Sequence, residues 1–427
     1  MAGEAYEKRL VEDALALHLR TMGAVLIEGP RRCGKTTTAR RFSRSVLRVD
    51  DPRTMEDTAF WAELAPERLL TGAAPRLIDE WEHIPTIWDD VRSEVDRRSD
   101  PGQFILTGSA EPLDPSRFFH SGTGRFARMR MRPMTLFESG ESTGTVSLRG
   151  LFDHRFNRCA DMNAGSGLTR EALAYAACRG GWPASVVKTG ETALSTTRRI
   201  VRKAMREAAA RAAKQPPAEE ALRGLLRVMA QHAGTTDPIT KLHGELADER
   251  VSLRCFRAVL GALRDTFVTE DLDAWTAPLR SAARLPTTPE RSFCDPSFVA
   301  VGLGLAPEKL LRDRTAFGKV FRELCLRDLR VFADLLEGGL AHWRDRVGRA
   351  SLVVTTWDGR YGLVAVSPGG GRAEERNAGM LRAMAAKINV ERRGRRPSSW
   401  CSPPTGAGPG VAKTVFGSCR SGVSDPE

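Results

Sequence analysis

Over the amino-terminal part of the chain, apolar residues come in short unbroken runs rather than in alternation. Residues 24–28 (Ala-Val-Leu-Ile-Glu), 76–80 (Arg-Leu-Ile-Asp-Glu) and 103–109 (Gln-Phe-Ile-Leu-Thr-Gly-Ser) are three such runs. A run apolar at nearly every position fits a strand buried on both faces, as in a parallel sheet covered by helices. Residues 89–98 have an amphipathic helical pattern, which keeps strand and helix alternating. Residues 125–133 alternate basic and apolar side chains, the period of a strand. Residues 191–232 read as helices, interrupted at Lys214, Gln215, Pro216 and Pro217. A short helix at 237–247, a break at 248–252, a helix at 253–264 and a β-ribbon from 267–275 and 284–293 follow in the order of a winged-helix unit. Residues 317–336 read as an amphipathic helix, and 342–345, 350–356 and 360–366 as strands with a hairpin turn at Asp358-Gly359. After about residue 389 the periodicity stops and chain breakers multiply, which predicts a disordered basic tail.

The first run leads into Gly29, Pro30, Arg31, Arg32, Cys33, Gly34, Lys35, Thr36 and Thr37. Strand, glycine loop and helix with G-x-x-x-x-G-K-[ST] spacing is a phosphate-binding loop. Glycines at both ends let the backbone turn its N–H groups onto phosphate oxygens, and the following helix adds its positive end. Lys35 suits the β- and γ-phosphates of ATP, and the Thr36 hydroxyl suits Mg²⁺. In a parallel sheet, chemistry gathers at the carboxyl ends of strands. Asp79 therefore fits a Mg²⁺ role through water, Glu80 fits the base that orients the attacking water, and Thr107 or Ser109 fits a contact to that water or the γ-phosphate. Arg125 follows a flexible Gly-Thr-Gly, and two readings stay open for it: an arginine finger in its own or a neighbouring subunit, or a residue of a charged edge strand. For Arg128 and Arg130 the edge-strand reading is favoured. Cys33 would place a thiol in the phosphate loop, where alkylation should block ATP.

With these residues in view, the chain resembles a family of bacterial and archaeal ATP-binding proteins. They pair an AAA-type ATPase domain with a carboxyl-terminal, nuclease-like domain of unknown function. The resemblance rests on residues 27–39, 77–81, 106–109 and 124–134, then on Gly180-Gly-Trp-Pro183, 293–297 and 317–329, and covers roughly 5–367. It implies an α/β fold: a P-loop NTPase parallel sheet (1–150), a helical and winged-helix-like region (165–290), a small α+β restriction-nuclease-like domain (291–388) and the tail (389–427). The nuclease pattern needs a Glu on the helix, an Asp on the second strand and Glu-x-Lys on the third, to hold a metal. Here those positions carry Arg322, Leu352 and Ala365-Val-Ser367, so nuclease activity is not expected. The strands also fit an ordinary sheet. The family ends in a few strands, so the tail is read as a frameshifted or truncated gene end.

The 427 residues suffice for two or three domains. Neither a signal peptide nor a membrane span is legible, and the eight cysteines form no C-x-x-C pair, so a reduced cytoplasm is expected. The net charge of +12 suits a nucleic-acid partner, or reflects a GC-rich genome. Arg254, Arg257 and Arg264 on the second helix of the winged-helix-like unit favour DNA, whereas Glu270, Asp271 and Asp273 on its ribbon do not. The reading is an ATP-binding protein and ATPase whose nucleotide state controls DNA-associated modules, with a homo-oligomer required if Arg125 acts in trans. The alternative is a nucleotide-gated switch without turnover.

Overall fold

Five parallel strands make the amino-terminal sheet in a computed structural model that describes residues 6–112, 122–153, 168–246, 248, 250–276, 288–345, 348–368 and 372–388, and the backbone of 414–417. They are β1 (Ala24–Glu28), β2 (Ser45–Arg48), β3 (Arg76–Asp79), β4 (Phe104–Gly108) and β5 (Phe126–Arg130), in the order β2-β3-β4-β1-β5. The architecture is α/β and consistent with the P-loop NTPase fold. Alternate residues of the central strands serve two cores. Val25, Ile27, Leu77 and Ile105 pack with Leu15 and the following helical region, whereas Leu26, Ile78, Phe104 and Leu106 pack with Trp81, Trp88 and Val91. That is why these runs carry no polar positions. Helix Ile87–Arg98 lies between β3 and β4, as its pattern implies. β2 escaped the sequence pattern because half of its four positions face solvent.

The helices Arg170–Arg179, Gly190–Ala212, Glu219–Gln231 and Leu253–Asp265 share the larger core with the sheet. The Pro216-Pro217 break falls between the second and third of these. The Ser252 hydroxyl caps the last by accepting the Cys255 N–H at 3.2 Å. The expected ribbon takes another form. Thr269 and Phe293, and Leu272 and Glu290, make isolated antiparallel bridges, and residues 277–287 lie outside the described set. Ala274 also bridges to His342 of the carboxyl-terminal sheet, so this segment joins that sheet instead of standing out as a free wing.

The second sheet is antiparallel: β6 (Gly339–Arg344), β7 (Ala350–Thr355), β8 (Tyr361–Val366) and β9 (Thr414–Gly417) in that order. β9 lies within the stretch read as a disordered tail. A β-prone Thr-Val-Phe segment here meets the open edge of β8, whose backbone groups need partners. The rest of that stretch lies outside the described residues. Helix Arg314–Asp334 belongs to both units: Phe317, Val320 and Leu324 enter the core of the amino-terminal half, and Leu326, Leu329 and Ala333 pack with Leu352, Val354 and Val364. Among the described residues no helix is long and apolar enough to cross a membrane.

Candidate functional site

β1 delivers the chain into the glycine loop. Gly29 has φ +153°, and a Cβ there would lie 2.0 Å from the Met131 carbonyl oxygen, so no side chain fits. Arg32 and Gly34 also take positive φ, 69° and 110°, and together reverse the chain before helix Lys35–Phe42. The Lys35 ammonium folds back onto the loop, donating to the carbonyls of Gly29 at 2.8 Å and Pro30 at 3.2 Å. The loop thus closes around its own cation at the place where phosphate oxygens would compete for it.

Adjacent strand ends complete the site. Parallel pairing sets Asp79 of β3 beside Thr107 of β4, and Glu28 of β1 beside Gly108. The buried Asp79 accepts at one oxygen from both the Thr36 hydroxyl at 2.7 Å and the Thr107 hydroxyl at 2.5 Å. Thr36 and Asp79 are hard oxygen donors side by side. They suit a small divalent cation that keeps phosphate and water as its other ligands. Glu80 follows in the left-handed region at φ 60°, and its N–H donates to Thr107 Oγ1 at 3.3 Å. Its carboxylate accepts from the Ser109 hydroxyl at 2.7 Å. Burial pushes the Glu80 carboxyl up, but the Lys35 ammonium and hydrogen bonds from Ser109 and Glu82 outweigh it and hold the group below its usual range.

Glu82 is the carboxylate that sequence reasoning missed. It accepts the backbone N–H groups of Ser109 at 2.7 Å and Ala110 at 3.2 Å, and lies 3.0 Å from the Ser109 hydroxyl. Burial, then the negative charge of Glu80, pushes its carboxyl up to about 7. Ser109 therefore sits between an ionised carboxylate and one that titrates near neutrality. A signal was present, since Glu82 shares the turn after β3 with Asp79 and Glu80.

Two expectations need correction. Arg125 lies at the wrong end of the sheet for a finger in its own subunit. Its carbonyl receives the N–H of Ala24, the first residue of β1, at 3.1 Å, and its guanidinium pairs with Asp96 at 2.9 Å. Five residues of β1 separate that end from the loop, about 17 Å of strand. Arg128 and Arg130 stand 3.6 and 3.8 Å from the Glu28 carboxylate, as in a charged edge strand. Cys33 is fully buried, and its thiol points to the Met131 carbonyl at 3.4 Å. It serves the loop through its backbone, and a thiol reagent cannot reach it in this form.

Helix Gly190–Ala212 forms the far wall of a cleft of about 270 Å³ over the loop. Pro30, Arg31, Arg32, Glu82 and Ser109 line one side, and Lys203, Glu207 and Arg211 the other. Glu207 ties the two, 3.1 Å from Arg31 and 3.5 Å from Lys203. Thr37 is exposed in the first turn after the loop. No local signal in the sequence marks this wall, because it depends on how the two halves pack. In the carboxyl-terminal half Arg322 pairs with the buried Glu290, and Leu352 and Ala365 are buried in apolar clusters. Among the described residues, no group of three or more His, Cys, Asp or Glu side chains could hold a metal.

Residues 170–309 match a family model described as a domain of unknown function, and residues 21–139 match one described as an AAA domain. Uncharacterized proteins of Mycobacterium bovis and Mycobacterium tuberculosis are each 31% identical over 147 residues, 34% of this chain and 33% of theirs. The match thus spans about a third of the length of these curated relatives. A solved structure, the Walker-type ATPase of Pyrococcus abyssi, is 13% identical, with a TM-score of 0.37 over 70% of this chain and 96% of that one. Over residues 21–139 the chain is similar to AAA domains, and that stretch carries the glycine loop, Asp79, Glu80 and Thr107.

Proposed function

We propose that the chain binds ATP with Mg²⁺ and hydrolyses it, and that nucleotide state controls the modules packed against the sheet. One observation supports this most: Thr36, Asp79, Thr107 and Glu80 converge from the loop and two adjacent strand ends, joined by hydrogen bonds of 2.5–3.3 Å, with Lys35 held by the loop carbonyls of Gly29 and Pro30. In this reading the loop amides and Lys35 grip the phosphates, and Thr36 and Asp79 hold the Mg²⁺. Bound Mg²⁺ would neutralise charge developing on the transferred phosphoryl group. Glu80, ionised at neutral pH, takes the proton of the attacking water, while Ser109 fixes its carboxylate. Glu80→Gln keeps the shape and removes the base. ATP should still bind, while steady-state phosphate release falls by about 10²–10⁴-fold. Turnover like wild type would show that Glu80 is not the base. Wild type that binds ATP but releases phosphate only at background favours the non-hydrolysing switch.

A nucleic-acid partner is a second reading. Arg254, Arg257 and Arg264 are exposed along one helix, opposite buried Phe256, Val259 and Leu263. None of the three forms an ion pair among the described residues. Three phosphate contacts predict a log–log slope of affinity against salt of about −2.7 on duplex DNA. A flat plot assigns the charge to composition alone.

A further inference from the structure

Arg9 precedes the first helix, Val11–Thr21, in a part of the chain to which the ATP reading assigns nothing. Its side chain is 4% exposed, and its donors reach three separate acceptors. Nη1 donates to the Cys33 carbonyl at 2.7 Å, Nη2 to the Arg132 carbonyl at 2.8 Å, and Nε to Glu138 at 2.9 Å. Glu138 is itself held by the N–H groups of Leu10 at 2.9 Å and Thr135 at 2.8 Å. The rigid fork of a guanidinium spreads these donors over three nitrogens, whereas an ammonium offers its three from a single point.

The first of these contacts falls inside the glycine loop. In a trans peptide the C=O and the next N–H point in opposite directions. Holding the Cys33 carbonyl against Arg9 at 2.7 Å therefore turns the Gly34 N–H away from Arg9. That peptide plane turns about the Cys33 ψ and Gly34 φ torsions, and Gly34, at φ 110°, has no Cβ to restrain it. A charge-assisted hydrogen bond from a buried donor supplies the missing constraint. We propose that Arg9 is a positioning residue of the phosphate loop, fixing the Cys33–Gly34 peptide so that its N–H faces the phosphates before nucleotide arrives. The proposal rests on the reading of this loop as an ATP site.

The test uses Arg9→Lys in the full chain, with ATP affinity and site-resolved alkylation read together. The Kd for ATP should rise at least about tenfold, the loss of a single charge-assisted contact. Cys33 should be alkylated at least about tenfold faster than in wild type, once its peptide is free to turn. Cys178, also buried, should stay protected and so report that the fold is intact. A folded Arg9→Lys that binds ATP and labels Cys33 like wild type overturns the proposal. If Arg9→Lys exposes Cys178 as well, the double variant Arg9→Met with Glu138→Gln removes both buried charges together. The same pair of outcomes then decides. Failure of the ATP reading is a different result: wild type itself does not bind ATP, while Cys33 labelling still reports whether Arg9 holds the peptide.

Discussion

Lys35→Ala is expected to abolish ATP binding while leaving the sheet intact. The ammonium is 4% exposed and already desolvated by the loop, so its contacts to phosphate form without stripping water from it. Before nucleotide arrives it donates to the Gly29 and Pro30 carbonyls at 2.8 and 3.2 Å. Phosphate oxygens are stronger acceptors for the same donors, so binding exchanges two neutral acceptors for charged ones. Charge-assisted hydrogen bonds contribute about 1.5–3 kcal/mol each, and losing two weakens binding by about 10²–10⁴-fold. Structural damage should be small, because alanine is a good helix former at this helix start and the two carbonyls can take water once the cation is gone. Titration calorimetry with ATP, beside thermal melts of both proteins, is the measurement. A Kd within about threefold of wild type would place the phosphates elsewhere.

Arg327→Met is expected to destabilise the fold far more than Lys35→Ala. Arg327 is 1% exposed on helix Arg314–Asp334 and lies between two carboxylates, 3.2 Å from Asp295 and 2.8 Å from Asp328. Those carboxylates hold backbone from two other segments. Asp295 takes the Gly181 N–H at 2.9 Å, and Asp328 takes the Leu136 N–H at 3.1 Å. Methionine fills the space but strands two negative charges in a closed core, a loss of about 3–5 kcal/mol. Against a typical total of about 5–15 kcal/mol, that is a large share. The pH dependence identifies the cause. Burial pushes the Asp328 carboxyl up even with the arginine present, and removing the cation pushes it further. A carboxyl whose folded pKa lies above its unfolded one lowers stability as pH rises through that interval. The deficit should therefore be small near pH 4 and full at pH 7, and it should shrink when Asp295→Asn and Asp328→Asn are added. Urea titrations at both pH values measure it. A loss below about 1 kcal/mol at pH 7 would mean that the network relaxes around the gap.

The glycine loop between β1 and its helix and the Asp79–Glu80 strand end were legible because their signals are local. Unbroken apolar runs mark strands buried on both faces, and the turn chemistry that follows them is fixed by residue type. Arg125 shows where local reading stops. Nearness to glycines in sequence says nothing about strand direction, and parallel pairing with β1 carries Arg125 to the end opposite the loop. Glu270 shows the same limit from the other side. Its acidity argued against phosphate contact on a ribbon, but its role is to receive Arg132 and lie beside Arg330 inside the fold. Lys203, Glu207 and Arg211 complete the cleft over the loop from a helix whose own pattern specifies only which face is apolar. Arg9 is invisible for a related reason: a lone arginine before a helix reads as solvated until the partner 129 positions away is known.

The pairing of Arg132 with Asp334 also dictates an order of events during synthesis. The two residues are 202 positions apart, so the amino-terminal sheet leaves the ribosome long before helix Arg314–Asp334 exists. At about 5–20 residues per second, that interval is roughly 10–40 s. Throughout it the nascent sheet carries an arginine destined for burial with no Asp334 to meet it, and the core that it shares with the earlier helices still lacks Phe317, Val320 and Leu324. For that interval the amino-terminal half exposes apolar surface that the finished fold buries, the kind of surface that drives aggregation.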